Sequence, residues 1–345
     1  MPERFTVVIT SDRYGNETSG LEMERELVAG VTDLTIDLRG APAIDEDHLI
    51  EAAAEADALL VSTREAITRR VLANLPRCRV VSRYGVGLDN VDLDAATDYG
   101  IVVTHYPGYC TAEVADHALS LILALNRRIV ELDRDLRAGA WVRHGAATAT
   151  ILRGPVPPLR ELTLGIIGFG RIGHAVAERA KPFGVDLLIA DPFVESAVIE
   201  AEGAEPVTLN DLLARADIVT IHCPLTPETR GLIGAPELAR MKPTASLVNT
   251  ARGPIVDLAA VTAALQAGTL AGAGLDVVYP EPLPADSPLY SLPTVILTPH
   301  SAYYSERSVE IVRRETLNEA LAVLRGRRPH TVANPAVLQK VSLAS

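Results

Sequence analysis

At 345 residues the chain is too long for one ordinary hydrophobic core and reads as about two domains. Its 32 basic against 44 acidic residues leave a net charge of -12, which disfavours nucleic acid and anionic lipid as partners, and no run approaches the roughly 18 apolar residues of a membrane span. Met1–Arg4 leads directly into FTVVIT without the regions of a signal peptide, and Cys78, Cys110 and Cys223 form no CxxC pair, so reduced thiols, a cytoplasmic location and no metal centre are expected.

Short runs rich in Val and Ile recur from one end to the other: FTVVIT, ALLVS, CRVVSRYG, IVVTH, LGIIGFG, DLLIAD, IVTIHCP, ASLVNTAR, GAGLDV and VILTPH. Helical spacing fills the intervals, as at 45–57, 175–183, 209–216 and 257–267. Strand alternating with helix predicts an α/β protein with parallel sheets, and near-continuous apolar strands predict sheets covered on both faces. Early in the chain, Tyr84-Gly85-Val86-Gly87 is a glycine turn that lacks the third glycine of a nucleotide site. Pro107 and Gly108 then interrupt the pattern and mark a domain boundary. A helix opens at Thr111 and carries Val114, Ala118, Leu121, Ile122 and Leu125 at helical spacing, apolar enough to lie between layers. LDRDLRAGAW after it reads as solvated, and the AATAT and GPVPP segments between Ala146 and Pro158 read as irregular.

LGIIG leads into Gly168-Phe169-Gly170-Arg171-Ile172-Gly173, followed by a helix-like HAVAERAKPFG. The first glycine permits the tight turn, the second lets a pyrophosphate approach the backbone, and the third lets helix pack on strand. DLLIAD then ends in Asp191, eighteen residues past Gly173, close to the spacing expected of the acid that binds a ribose 2'-hydroxyl. Pro192 and Phe193 supply no cation for a 2'-phosphate, so the cofactor expected is NAD rather than NADP. Three later strand ends carry polar groups a structural strand does not need: Arg252 after SLVN, Asp276 and Glu281 in and after GLDVV, and His300 in LTPH. Ligands of open α/β sheets bind at the carboxyl ends of strands, which makes these groups candidates to face one site.

Several of these motifs, GFGRIG with Asp191, HCPLTPET, LVNTARGPIVD, GLDVVYPEP and TPH, resemble the D-isomer-specific 2-hydroxyacid dehydrogenases. Within that family RYGVGLDNVD, YCTAEVADHALSLILAL, TPHSAYYSE and GRRPHTVANP resemble the branch of the C-terminal binding proteins. The resemblance implies that Arg252 binds the substrate carboxylate and polarises its 2-oxo group, that His300 is the general acid and base, and that Glu281 pairs with it. It implies cofactor contacts from Cys223, Pro224, Thr229, Thr250, Ala251 and Asp276, the last near the nicotinamide amide, and substrate contacts from Tyr84, Gly85, Val86, Gly87 and Tyr303. Tyr303 stands where that branch usually has Trp, so a preference for apolar thioether substrates does not carry over. His105, His117, His144, His174 and His222 belong to no motif and read as structural.

The resulting expectation is an NAD-dependent oxidoreductase interconverting a small 2-oxo acid and its D-2-hydroxy acid. It would have two Rossmann-like or flavodoxin-like domains with a cleft between them: residues 1–105 with 301–345 for substrate, 106–300 for NAD. The helix from Thr111 and an arm over 141–158 resemble the family's dimerisation region, which predicts a homodimer. Two alternatives stand beside this reading, an NAD(H)-sensing, co-repressor-like interaction protein and a dehydrogenase acting on a phosphonate-bearing substrate.

Overall fold

The structure, a computed structural model, describes residues 3–14, 20–43, 45–144 and 156–344. It divides into two compact units, residues 1–110 with 305–345 and residues 111–304.

In the first unit, strands β1 (Arg4–Ile9), β2 (Thr35–Gly40), β3 (Ala58–Val61), β4 (Val80–Arg83) and β5 (Val102–His105) form an all-parallel sheet in the order β2-β1-β3-β4-β5. Successive side chains alternate between two cores: Val8, Leu59, Val61, Val81 and Val103 face one, Phe5, Val7, Ile9, Leu60, Val80 and Val102 the other. Both faces are apolar because both are covered, as the runs of Val and Ile predict. β2 is the exception. Its TIDLRG sequence lies at the edge and is nowhere buried, so no apolar run announces it. The second core closes against the helix Glu306–Leu324, whose start is capped by Ser305 accepting from the Ser308 N–H. On that helix Arg313 donates two hydrogen bonds, 2.7 and 2.6 Å, to the fully buried carboxylate of Glu24.

The second unit is built on seven parallel strands: β6 (Thr163–Ile167), β7 (Asp186–Ala190), β8 (Glu205–Pro206), β9 (Ile218–Ile221), β10 (Ser246–Asn249), β11 (Gly272–Leu275) and β12 (Val295–Leu297). Their order is β12-β11-β10-β9-β6-β7-β8. From β6 the chain first runs outward through β7 and β8, then returns to β9 on the other side. This reversal beside β6 is the topological switch point at which open α/β sheets bind ligands. The helix Thr111–Asn126 buries Val114, Ala115, Ala118, Leu121 and Ile122 on one face. Gly274 of β11 permits this packing, since a Cβ there would lie 3.2 Å from Leu121 Cβ. Beyond it the helix Ile129–Arg137 buries no residue, and Trp141 on the helix Ala140–His144 is 63% exposed. Most of the expected irregular arm, residues 145–155, lies outside the described residues.

Among the described residues no helix is long and apolar enough to cross a membrane, and no group of three or more His, Cys, Asp or Glu could hold a metal ion.

Candidate active site

The glycines after β6 differ sharply in the space around them. Gly168 has φ +89°, and a Cβ there would lie 2.5 Å from the Cys223 backbone nitrogen; at Gly173 it would lie 2.1 Å from the Gly168 carbonyl oxygen. These two positions pack backbone on backbone and admit no side chain. Gly170, between them, has no atom within 4 Å of where its Cβ would be, and it is the N-cap of the helix Arg171–Ala180. Open space beside the first N–H groups of a helix is what a pyrophosphate requires. Asp191, just past β7, accepts hydrogen bonds from the N–H of Phe169 at 2.7 Å and of Phe193 at 2.9 Å. Those contacts pin the carboxylate beside the glycine turn, and its remaining lone pairs can accept ribose hydroxyls.

Across the switch point, β9 delivers His222 and Cys223. His222 Nδ1 is buried without a partner among the described residues, and burial drops the ring's pKa to about 3, so it is neutral. Burial pushes the Cys223 thiol up to about 11, which makes it an apolar wall rather than a nucleophile. Thr229 Oγ1 donates to the Pro224 carbonyl at 2.6 Å and holds the loop between them. At the end of β10 the Thr250 hydroxyl is likewise buried without a partner among the described residues. Arg252 projects from a backbone held by Asn249, whose side chain accepts from the Ala251 N–H and donates to the Arg252 carbonyl. The Arg252 guanidinium donates to the Ala251 carbonyl at 2.8 Å. Asp257 accepts from Ala259 and Ala260 N–H and caps the next helix. Gly253 lets this loop abut the chain after β11, because a Cβ would lie 2.1 Å from the Val278 carbonyl oxygen.

That chain leads through Tyr279 and Pro280 to Glu281, with both X–Pro bonds flanking the acid cis. Glu281 meets His300 directly: its two oxygens lie 2.9 and 3.1 Å from His300 Nδ1. A carboxylate on Nδ1 fixes the imidazole's orientation and leaves Nε2 as the atom available to a substrate. The His300 side chain is 17% exposed, and its backbone is left-handed at φ +53°. Tyr303 stands edge-on to it with ring centroids 6.4 Å apart.

Asp276 holds this arrangement in place. Its carbonyl accepts from the His300 N–H at 2.8 Å, and its buried carboxylate accepts from Ser301 N–H, Ala302 N–H and the Thr298 hydroxyl at 2.9, 3.0 and 2.6 Å. The residue expected beside a nicotinamide thus anchors the loop that carries the histidine. His117 joins the same cluster, with Nε2 3.0 Å from Thr298 Oγ1 and 3.6 Å from Asp276 Oδ1. Neither Thr298 nor this role of His117 is legible in the sequence, which separates them by 181 residues.

The other predicted substrate residues, Tyr84 to Gly87, lie in the first unit. Tyr84 is buried, and burial raises its phenol well above the usual range. Gly85 has φ +122°, and Arg83 folds beneath the turn with Nη1 2.8 Å from the Tyr84 carbonyl. His105 Nδ1 lies 2.7 Å from the Val86 carbonyl and braces the far side.

Comparison with known proteins follows the same lines. Residues 119–302 match the family described as D-isomer specific 2-hydroxyacid dehydrogenase, NAD binding domain. The D-3-phosphoglycerate dehydrogenase of Mycobacterium tuberculosis is 43% identical over 294 residues, 85% of this chain; the chain spans about half, 52%, of that relative's length. The glyoxylate reductase of Korarchaeum cryptofilum is 41% identical over 291 residues, covering 84% of this chain and 86% of the relative. A crystal structure of D-lactate dehydrogenase from Aquifex aeolicus, complexed with NAD and lactic acid, superposes with a TM-score of 0.77 at 27% identity over 99% of each chain. The chain belongs to the D-isomer-specific 2-hydroxyacid dehydrogenase family, and the glycine turn, Asp191 and the Glu281–His300 pair all fall within its NAD-binding domain.

Proposed function

We propose that the protein interconverts a small 2-oxo acid and its D-2-hydroxy acid with NAD(H). The observation that carries this reading is the Glu281 carboxylate on His300 Nδ1, in the same unit as a glycine turn built for a dinucleotide. Gly168 to Gly173, Asp191, Cys223, Pro224, Thr229, Thr250 and Ala251 would hold the cofactor. When bound, it supplies or accepts a hydride at the substrate's C2.

His300 Nε2 gives a proton to the carbonyl oxygen on reduction and takes it from the hydroxyl on oxidation. Glu281, bound to Nδ1, keeps the ring aimed with Nε2 toward the substrate. The Arg252 fork pairs with the carboxylate and polarises the 2-oxo oxygen, so negative charge developing there meets a fixed cation. Asp191 supports NAD over NADP, since a carboxylate repels a 2'-phosphate. Tyr84 to Gly87, in the first unit, would supply substrate contacts, with residues 1–105 and 301–345 as substrate domain and 106–300 as cofactor domain. Likeness of the helix from Thr111 to the region through which the family dimerises supports a homodimer.

The relatives' names put glyoxylate and D-3-phosphoglycerate among the substrates to test, and the reading itself adds other small 2-oxo acids. Glyoxylate, hydroxypyruvate, phenylpyruvate and phosphonopyruvate are followed with NADH and NADPH by absorbance at 340 nm, and D-3-phosphoglycerate with NAD in the oxidative direction. The expected result is turnover of at least one acid with NADH. His300→Ala should lower kcat by about 10²–10⁴-fold while leaving NADH binding intact. Tight NADH binding without turnover of any of them would sink the reading and favour an NAD(H)-sensing role.

A further inference from the structure

We infer that His117 is a positioning residue for His300, acting through Thr298 and Asp276; the inference rests on the dehydrogenase reading above and names a residue that no motif singles out. Thr298 has one hydroxyl proton, and the 2.6 Å contact with Asp276 Oδ1 takes it, because every other contact of that carboxylate is with an N–H donor. The 3.0 Å contact between Thr298 Oγ1 and His117 Nε2 then requires the imidazole to donate. His117 thus carries its proton on Nε2 and fixes the threonine hydroxyl, which points at Asp276. Asp276 in turn fixes three consecutive residues, through the N–H groups of His300, Ser301 and Ala302.

The loop needs such a clamp. His300 sits in the left-handed region, which a non-glycine residue holds only when its surroundings over-determine it. The clamp also ties the loop to the helix Thr111–Asn126, whose buried face packs in the core of this unit. A side chain that merely filled space at this point would have no need of a donor aimed at Thr298. The expected consequence is chiefly on rate, because the clamp holds the backbone of His300 itself.

The test compares His117→Leu, which keeps bulk and loses the donor, with His117→Gln, whose amide nitrogen stands near the place of Nε2. On whichever 2-oxo acid the wild-type enzyme reduces, His117→Leu should lower kcat by about 10–100-fold, the scale of a small misplacement of a catalytic group. Its KM for NADH should stay within about twofold, and His117→Gln should recover most of the loss. Thr298→Val should lose a similar factor, and the double variant no more than the worse single, since both break one chain of contacts. If His117→Leu fails to bind NADH, Thr298→Val alone decides. The inference is overturned if Thr298→Val and His117→Leu turn over like wild type, or if Gln and Leu lose activity equally. Wild-type protein that reduces nothing, with His300→Ala indistinguishable from it, overturns the dehydrogenase reading itself; an active wild type with an inactive His300→Ala and an unimpaired His117→Leu overturns only this inference.

Discussion

The two units contain the same device, a glycine turn at the carboxyl end of a central parallel strand, put to different ends. After β6, the positive-φ Gly168 is crowded by the backbone of a neighbouring strand's end, and a helix begins within three residues. After β4, the positive-φ Gly85 is crowded by the guanidinium of its own neighbour Arg83, and the next helix, Leu93–Asp98, starts only at Leu93. A turn that opens straight into a helix lines up N–H groups and a dipole for a diphosphate. One that does not would offer a few N–H groups beside a cation, the setting proposed above for a single carboxylate. On the proposed reading the helix, more than the glycines, suits the first turn to a dinucleotide.

The difference can be broken or sharpened by substitution. The largest effect should come from the first unit's stability: Glu24→Ala strands Arg313 in the core and should cost about 3–5 kcal/mol in chemical denaturation. An unchanged midpoint would mean that water or Gly20, whose carbonyl already accepts from Arg313, replaces the carboxylate. Next come the turns themselves. Forcing a Cβ into a left-handed backbone costs about 1–2 kcal/mol, roughly tenfold in binding where the turn makes the site, and at Gly168 this is a floor because the Cβ also meets the Cys223 backbone. Gly168→Ala should therefore weaken NADH, measured by fluorescence titration, and Gly85→Ala should raise the KM for the oxo acid while sparing NADH. A swapped pattern would reverse the assignment of the two turns.

The most gradual effect is on pH dependence. His222 has its folded pKa near 3 against 6.5 for the ordinary group, so the folded state binds fewer protons than the unfolded chain between those values. Stability from this group is fully present above pH 6.5 and falls as pH drops toward 3, by up to about 1.4 kcal/mol per pH unit. His222→Gln should flatten that slope in denaturation curves taken from pH 4 to 6.5; an identical slope would show that other groups set it.

Much of this was legible beforehand, for physical reasons that differ by residue. The inner strands read clearly because burial on both faces leaves an unbroken apolar run, as in ALLV of β3. Edge strand β2 escaped, since TIDLRG is half solvated and its pairing with β1 depends on backbone alone. Gly168, Gly173 and Asp191 announce themselves because a close backbone approach and a strand-end acid each demand one residue type. Asp276 is legible as a site residue, but its hold on the loop is not: a carboxylate bound to three N–H or O–H groups of residues 298–302 is a tertiary arrangement that spacing does not encode. His117 carried no signal, for a histidine on an apolar helix face looks the same whether it packs or donates.

The left-handed backbone of His300 has a bearing on how such a protein can change. Holding histidine there costs on the order of 1 kcal/mol or more that glycine, or to a lesser degree asparagine, would not incur. Replacing the proposed proton donor by glycine or asparagine would therefore relax the loop while removing its imidazole, and the form with histidine is the less durable one. Screening variants for heat resistance alone would drift toward inert proteins at this position, and only selection that reads turnover would keep the imidazole.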